Sequence, residues 1–128
     1  MSLSIVRLGT PKTRNELRLG TVRRPPRGVK KSDFTKKGYY DLWLPILAPS
    51  AELVKLALST TDEKSWKIFK REYIKEMKAP GPSQLLDLLS LLSHIQDLSV
   101  GCYCEDESRC HRSILRELLR SRGAKLFK

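Results

Sequence analysis

The stretch "LSVGCYCEDESRCHRSILRELLRSRG", residues 98–123, decides the fold. Its first part, from Leu98 to Cys104, is a short apolar run typical of a buried strand. Its last part has apolar residues at helical spacing, and Gly123 is well placed to end that helix. A charged turn joins the two parts. A strand that leads directly into an amphipathic helix is the building unit of an α/β fold.

The rest of the chain supplies further strands and helices in an order that suits this fold. Strand-like runs at residues 4–9 and 17–24 lie near the N-terminus. Helical periodicity covers residues 50–58, 60–77 and 83–94. Strands at both ends with helices between them predict one α/β domain over the whole chain, with a small and at least partly parallel sheet.

The helical segments give sharper expectations. Thr60 and Glu63 have the spacing of a capping box at the start of the second helix. The "APGP" segment is expected to end that helix, and Ser83 to start the third. The six leucines of the third helix predict that it is largely buried. His94, at its end, is expected to cap the helix or to face solvent.

The charge of the chain is high and unevenly distributed. The 128 residues carry a net charge of +11, and residues 1–37 hold eleven Lys or Arg against two acidic residues, which accounts for +9 of it. Adjacent prolines and Gly28 predict that residues 24–38 form a basic surface loop. The positive electrostatic field of these residues favours a phosphate-bearing small molecule or a nucleic acid as partner. An ordinary solvated surface is the alternative.

The sequence also bears on compartment. No apolar run reaches the roughly 18–20 residues of a membrane span, and the N-terminal "MSLSIVRLGT" is too short in apolar residues for a secretory signal. We therefore expect a cytoplasmic protein without a membrane partner. Three closely spaced cysteines, an odd number, favour free thiols or metal ligands over disulfides. Nothing in the sequence indicates an oligomeric state.

The "CHR" triplet at residues 110–112 is the strongest candidate for chemistry. Cys110 lies near a helix N-terminus beside His111 and Arg112, and all three influences favour a thiolate. If the protein is an enzyme, we expect Cys110 to act as nucleophile, His111 as acid or base, and Arg112 with Arg24 and Arg27 as an anion clamp. Ser113 could add a hydroxyl or a cap. The neighbouring carboxylates, Glu105 among them, either oppose the thiolate, pair with arginine or supply a base.

Two further cysteine motifs bear on the chemistry of this segment. The phosphatase loop requires an arginine six residues after the cysteine, but the sixth residue after Cys104 is Cys110, so the motif is absent. A zinc site remains an alternative to the expectation of no cofactor, although its ligand spacing is tighter than usual. Buried thiols beside an ordinary helix cap are a further alternative. The four zinc ligands would be Cys102, Cys104, Cys110 and His111.

Four segments resemble a known family. They are "RRPPRGVKK", "WLPILAPSAEL", "SWKIFKREYIKEM" and "CYCEDESRCHRSIL", and the resemblance covers most of the chain from about residue 18 to 122. They are similar to segments of the domain of unknown function 488 family, including its YeaO-like branch. The resemblance implies a single α/β domain with a small, mostly parallel, Rossmann-like sheet flanked by helices. It implies no established activity.

The resemblance also implies which polar residues recur. One position departs from the family pattern, because Cys104 stands where the family has a glutamate and Glu105 follows it. On a strand, a shift of one residue reverses the direction of the side chain. The recurrent positions fall on Cys102, Cys110, His111, Arg112, Arg24, Arg27 and Gly28.

These observations lead to one functional expectation and one alternative. We expect an anion site for a phosphate or nucleotide at the strand–helix junction, residues 102–113, facing the basic loop. Such a site suits an enzyme with a reactive cysteine, although the sequence does not decide between catalysis and binding alone. The alternative is a basic nucleic-acid-binding or regulatory module without catalysis. The expected ligand-binding residues are Arg24, Arg27, Gly28, Cys102, Glu105 and Ser113.

Overall fold

Four parallel strands form the centre of the molecule. The computed structural model describes residues 1–59, 62–104 and 106–127, with Glu107 described by its backbone alone. The sheet has the order β1-β4-β2-β3, and every pairing in it is parallel. The predicted α/β fold with a small parallel sheet is therefore confirmed. The strands are β1 (Leu3–Arg7), β2 (Leu17–Gly20), β3 (Leu42–Trp43) and β4 (Leu98–Cys102).

Strand β4 lies inside the sheet, where β1 pairs with one of its edges and β2 with the other. All five of its residues are buried, which suits a strand whose sequence is continuously apolar or small. Gly101 allows close packing, since a Cβ there would lie 2.6 Å from Leu8 Cδ2. The register aligns Arg7 of β1 with Cys102. The ends of these strands consequently lie at one edge of the sheet.

Four α-helices are described: α1 (Ala51–Ser59), α2 (Glu63–Met77), α3 (Pro80–Leu92) and α4 (His111–Ser121). Helix α4 packs on the sheet against β1 and β4, and α2 and α3 pack against α4. None of the described helices has the length and apolar composition that a membrane span requires.

Helix α2 presents its apolar stripe to the core, because Phe69, Tyr73 and Met77 are buried. The N-cap of this helix is Asp62, whose side chain accepts a hydrogen bond of 2.8 Å from the Ser65 backbone N–H. The predicted capping box depended on Thr60, which lies outside the described residues.

Helix α3 differs from its prediction in two respects. It begins at Pro80, three residues before the predicted start, because proline is tolerated at the first helical position, where its missing N–H is not needed. It is also not largely buried: Leu88 is 51% exposed and Leu91 is 71% exposed. His94 is exposed as expected, with its Nε2 2.8 Å from the Gly123 carbonyl oxygen.

Helix α4 begins and ends where the sequence predicts. Its first residue, His111, directly follows Cys110, which the sequence places near the helix N-terminus. Gly123 follows its end with a φ of +88°, a conformation that glycine adopts without strain. The helix therefore starts at the carboxyl edge of the sheet, immediately after the cysteine-rich turn.

Candidate functional site

The carboxyl ends of β2 and β4 meet the N-terminus of α4 at one edge of the sheet. Thr21 follows β2, Cys104 lies two residues beyond the end of β4, and Cys110 is the N-cap of α4. Cys110 has extended backbone and makes no side-chain capping hydrogen bond. Ligands of open α/β sheets bind at this kind of edge, so the predicted junction has the expected position in the fold.

The three thiols form one cluster at this edge. Cys102 and Cys110 are buried, Cys104 is exposed, and all three are free. The Sγ atoms of Cys102 and Cys104 are 3.7 Å apart, so these side chains point to the same side. The pKa of each thiol depends on hydrogen bonds to the other two. The cluster therefore behaves as one group.

His111 is held in a single orientation against the cluster. Its Nε2 lies 2.7 Å from the carbonyl oxygen of Thr21. Because a carbonyl only accepts, we assign the proton to Nε2, which leaves Nδ1 unprotonated. Nδ1 lies 3.8 Å from Cys110 Sγ. Burial lowers the pKa of His111 to about 4, so the ring is neutral near pH 7.

Of the three thiols, Cys104 is the one whose pKa is lowered, so it is the one that carries the negative charge. Hydrogen bonds from Cys102 and Cys110, and then the nearby positive charge of Arg112, hold the pKa of Cys104 well below its usual range. The same thiol–thiol hydrogen bonds, together with burial, raise the pKa of Cys102 far above its usual range.

Cys110 differs from the expectation that its pKa is lowered. A hydrogen bond from Cys102 lowers the pKa of Cys110, but the hydrogen bond to Cys104 and the burial of the thiol outweigh it. The pKa is consequently raised to about 11. The raised pKa of Cys110 could not be predicted from the sequence. The sequence shows the helix N-terminus and the neighbouring cations, but it does not show how close the thiols of Cys102 and Cys104 lie to Cys110.

Arg112 is buried behind the turn that connects β4 to α4. It is 4% exposed, and one of its terminal nitrogens donates to the carbonyl oxygen of Cys104 at 2.6 Å. Its Nε is buried and has no hydrogen-bond partner among the described residues. Arg112 thus fixes the backbone of Cys104 and adds positive charge beneath the cluster. Its role as an anion clamp stays a prediction.

A pocket of about 420 Å³ opens beside the cluster, a volume within the usual range for small-molecule sites. One wall carries the thiols and His111. Another wall comes from α1 and the segment before it, with Pro49, Val54 and Leu58 as apolar members. The cationic residues among those lining the pocket are Arg23, Arg24, Lys55 and Arg109.

The structure brings some of the predicted ligand-binding residues to this pocket and leaves others away from it. Arg24 and Cys102 line it, whereas Arg27 and Gly28 belong to the same exposed loop but are not among the lining residues. The hydroxyl of Ser113 donates to the Cys110 carbonyl at 2.9 Å, so it stabilises the first turn of α4. Glu105 lies outside the described residues.

Several pocket residues were missed from the sequence. Lys55 belongs to α1, and Arg109 pairs with Glu63 of α2 and lies 5.8 Å from the centre of the Trp66 ring. Arg23 donates to the Pro49 carbonyl at 3.1 Å and so fixes the start of the α1 wall. The periodicity of α1 indicated only its core face, and no local signal showed that its other residues approach the cysteines.

The cluster also contains the groups named for the zinc alternative. Candidate ligand atoms of Cys102, Cys110 and His111 all lie within 4.8 Å of one another, and all three residues are buried. Cys104 adds a third sulfur, and with it a fourth candidate ligand, 3.7 Å from the sulfur of Cys102. The four residues are therefore together in space, while zinc itself remains a prediction.

Comparison with known proteins gives one match. A family model described as the active DUF488-N3 subclade matches residues 3–123, nearly the whole chain. No curated protein and no solved structure matches the chain. The family resemblance deduced from the four segments is confirmed, while placement in the YeaO-like branch stays a prediction. The chain belongs to the DUF488 family.

Proposed function

We propose that this protein binds a phosphate-bearing ligand, a nucleotide or a nucleic-acid end, in the pocket beside the cysteine cluster. We further propose that the cluster supplies the reactive group of an enzyme. One observation supports both statements: the N-terminus of α4 opens beside a pocket that combines cationic side chains with three thiols and an imidazole.

The electrostatics of the pocket favour an anion. The first N–H groups of a helix lack intrahelical partners and carry about half a positive charge. Cys110 leaves them without a side-chain cap, so a phosphate oxygen could accept from them. Arg24 and Lys55 line the same pocket. Arg112 adds a buried guanidinium behind the turn.

The thiols and the imidazole support a chemical role. Cys104 is the exposed thiol and the one whose pKa is lowered, so it is the group best suited to attack a bound electrophile. His111 presents its unprotonated Nδ1 3.8 Å from Cys110 Sγ, where it can accept a hydrogen bond from that thiol. The description of the matched subclade as active also supports catalysis.

Residue-resolved alkylation of reduced, metal-free protein tests this proposal. We expect Cys104 to react with iodoacetamide faster than Cys102 or Cys110 near pH 7, and inorganic phosphate or a nucleoside monophosphate to slow that reaction. Equal, slow alkylation of all three thiols, with no protection by either anion, would contradict the proposal.

A second candidate function, a nucleic-acid-binding module without catalysis, is favoured by the outer surface of α2. Cationic side chains surround a shallow depression of about 500 Å³ there. This function predicts binding to nucleic acid that weakens steeply with salt and survives Cys110→Ala. Binding that is insensitive to salt would exclude it. The cations of this surface are Lys67, Lys70, Arg71, Lys75 and Lys78.

A further inference from the structure

The cysteine cluster has distances that match two edges of a tetrahedral metal site. Zinc lies about 2.3 Å from sulfur and about 2.0 Å from nitrogen, so neighbouring ligand atoms in a tetrahedral site are about 3.5–3.8 Å apart. The Sγ atoms of Cys102 and Cys104 are 3.7 Å apart. Cys110 Sγ and His111 Nδ1 are 3.8 Å apart. The two pairs thus have the separations of two opposite edges of the tetrahedron.

The two pairs also lie close to each other. The ligand atoms of Cys102, Cys110 and His111 are all within 4.8 Å. Among these three residues, the movement required to close the remaining edges is therefore at most about 1.3 Å, and Cys104 would join them from its position beside Cys102. Adjacent Cys110 and His111 reach the same centre because Cys110 has the extended backbone of an N-cap while His111 begins the helix.

His111 is oriented as a metal-binding histidine usually is. Its Nε2–H donates to the Thr21 carbonyl oxygen at 2.7 Å, and such a hydrogen bond fixes the tautomer and directs the other nitrogen at the metal. The hydroxyl of Thr21 donates to the Gly101 carbonyl at 2.9 Å and fixes this segment in turn. The unprotonated Nδ1 faces the thiols.

We propose that Cys102, Cys104, Cys110 and His111 form a closed tetrahedral site for a thiophilic divalent cation, with Zn²⁺ as the best match. Cys104 is exposed, which gives the cation an entry path from the pocket. Four protein ligands leave no open position, so the cation would hold the end of β4 to the start of α4.

This inference does not depend on the proposed function. A bound cation would occupy the thiolates that alkylation probes, so the metal-loaded and thiol-reactive forms exclude each other. The cationic wall of the pocket contributes no ligand to the cation. The two proposals can therefore be tested separately. Arg24→Ala should weaken phosphate binding and leave the affinity for the metal unchanged.

Titration of the reduced, metal-free protein with Zn²⁺, in competition with a chromophoric chelator, tests the site. We expect one equivalent to bind. Substitution with Co²⁺ should give the visible bands of tetrahedral coordination and the near-ultraviolet bands of thiolate ligation. Absence of stoichiometric binding, or an octahedral cobalt spectrum, would overturn the proposal.

Two variants examine the ligand set. Cys104→Ser changes an exposed residue and should not impair folding, and the loss of one of four ligands should weaken Zn²⁺ binding by about 100-fold. His94→Gln is the matched control, because His94 is exposed at the far end of α3 and should leave the affinity unchanged. Wild-type affinity in Cys104→Ser would overturn the four-ligand site.

Discussion

Acidification should destabilise the metal-free protein through the buried imidazole of His111. Burial lowers the pKa of His111 from 6.5 to about 4 in the folded state. Above pH 6.5 the ring is neutral in both the folded and the unfolded chain, so the stability is fully present there. Between pH 6.5 and 4 only the unfolded chain takes up the proton, and stability falls. At about 1.4 kcal/mol per unit, the loss is about 3 kcal/mol.

The assay is urea unfolding of chelator-treated wild type and His111→Gln at pH 7, 5.5 and 4. Glutamine can still donate to the Thr21 carbonyl but does not titrate. Carboxylates destabilise both proteins on acidification, so the quantity of interest is the difference between them. We expect wild type to lose about 3 kcal/mol more than the variant. Parallel loss of stability in the two proteins would refute the buried, neutral imidazole.

Three further substitutions test the packing around the site, each by urea unfolding at pH 7. Gly20→Ala should cost about 1–3 kcal/mol, because its Cβ would overlap the ring of Tyr40; an unchanged midpoint would contradict that close approach. Tyr73→Phe should cost about 1–3 kcal/mol, because it leaves the buried Leu47 carbonyl without the 2.5 Å hydrogen bond from the tyrosine hydroxyl. Leu91→Gln should change stability by less than about 0.5 kcal/mol, since this side chain is exposed, and a larger loss would mean that α3 is covered.

The sequence predicted the fold because its signals were local and consistent. The apolar run that became β4, the start of α4 and the stop at Gly123 all depend on residues within one stretch. The third helix was predicted less well. Its leucines indicated burial on every side, but only one face meets the core, and leucine is also a good helix former on an exposed face.

The site was only partly predictable for a physical reason. The sequence correctly placed Cys102, Cys110 and His111 at the carboxyl edge of the sheet, because strand ends and helix starts follow from local sequence patterns. It could not show that Lys55 reaches the same pocket from α1. Nor could it show which of the three thiols has a lowered pKa, since that depends on the distances between the thiols and on their burial.

The central claim is that the pocket binds a phosphate-bearing ligand, and calorimetric titration with a nucleoside monophosphate tests it most directly. Arg24→Ala removes one cation from the pocket lining, and Lys36→Ala removes one from the exposed part of the same basic loop. We predict one saturable site in wild type, binding about tenfold weaker in Arg24→Ala, and unchanged binding in Lys36→Ala. Absence of saturable binding, or equal weakening in both variants, would contradict the account.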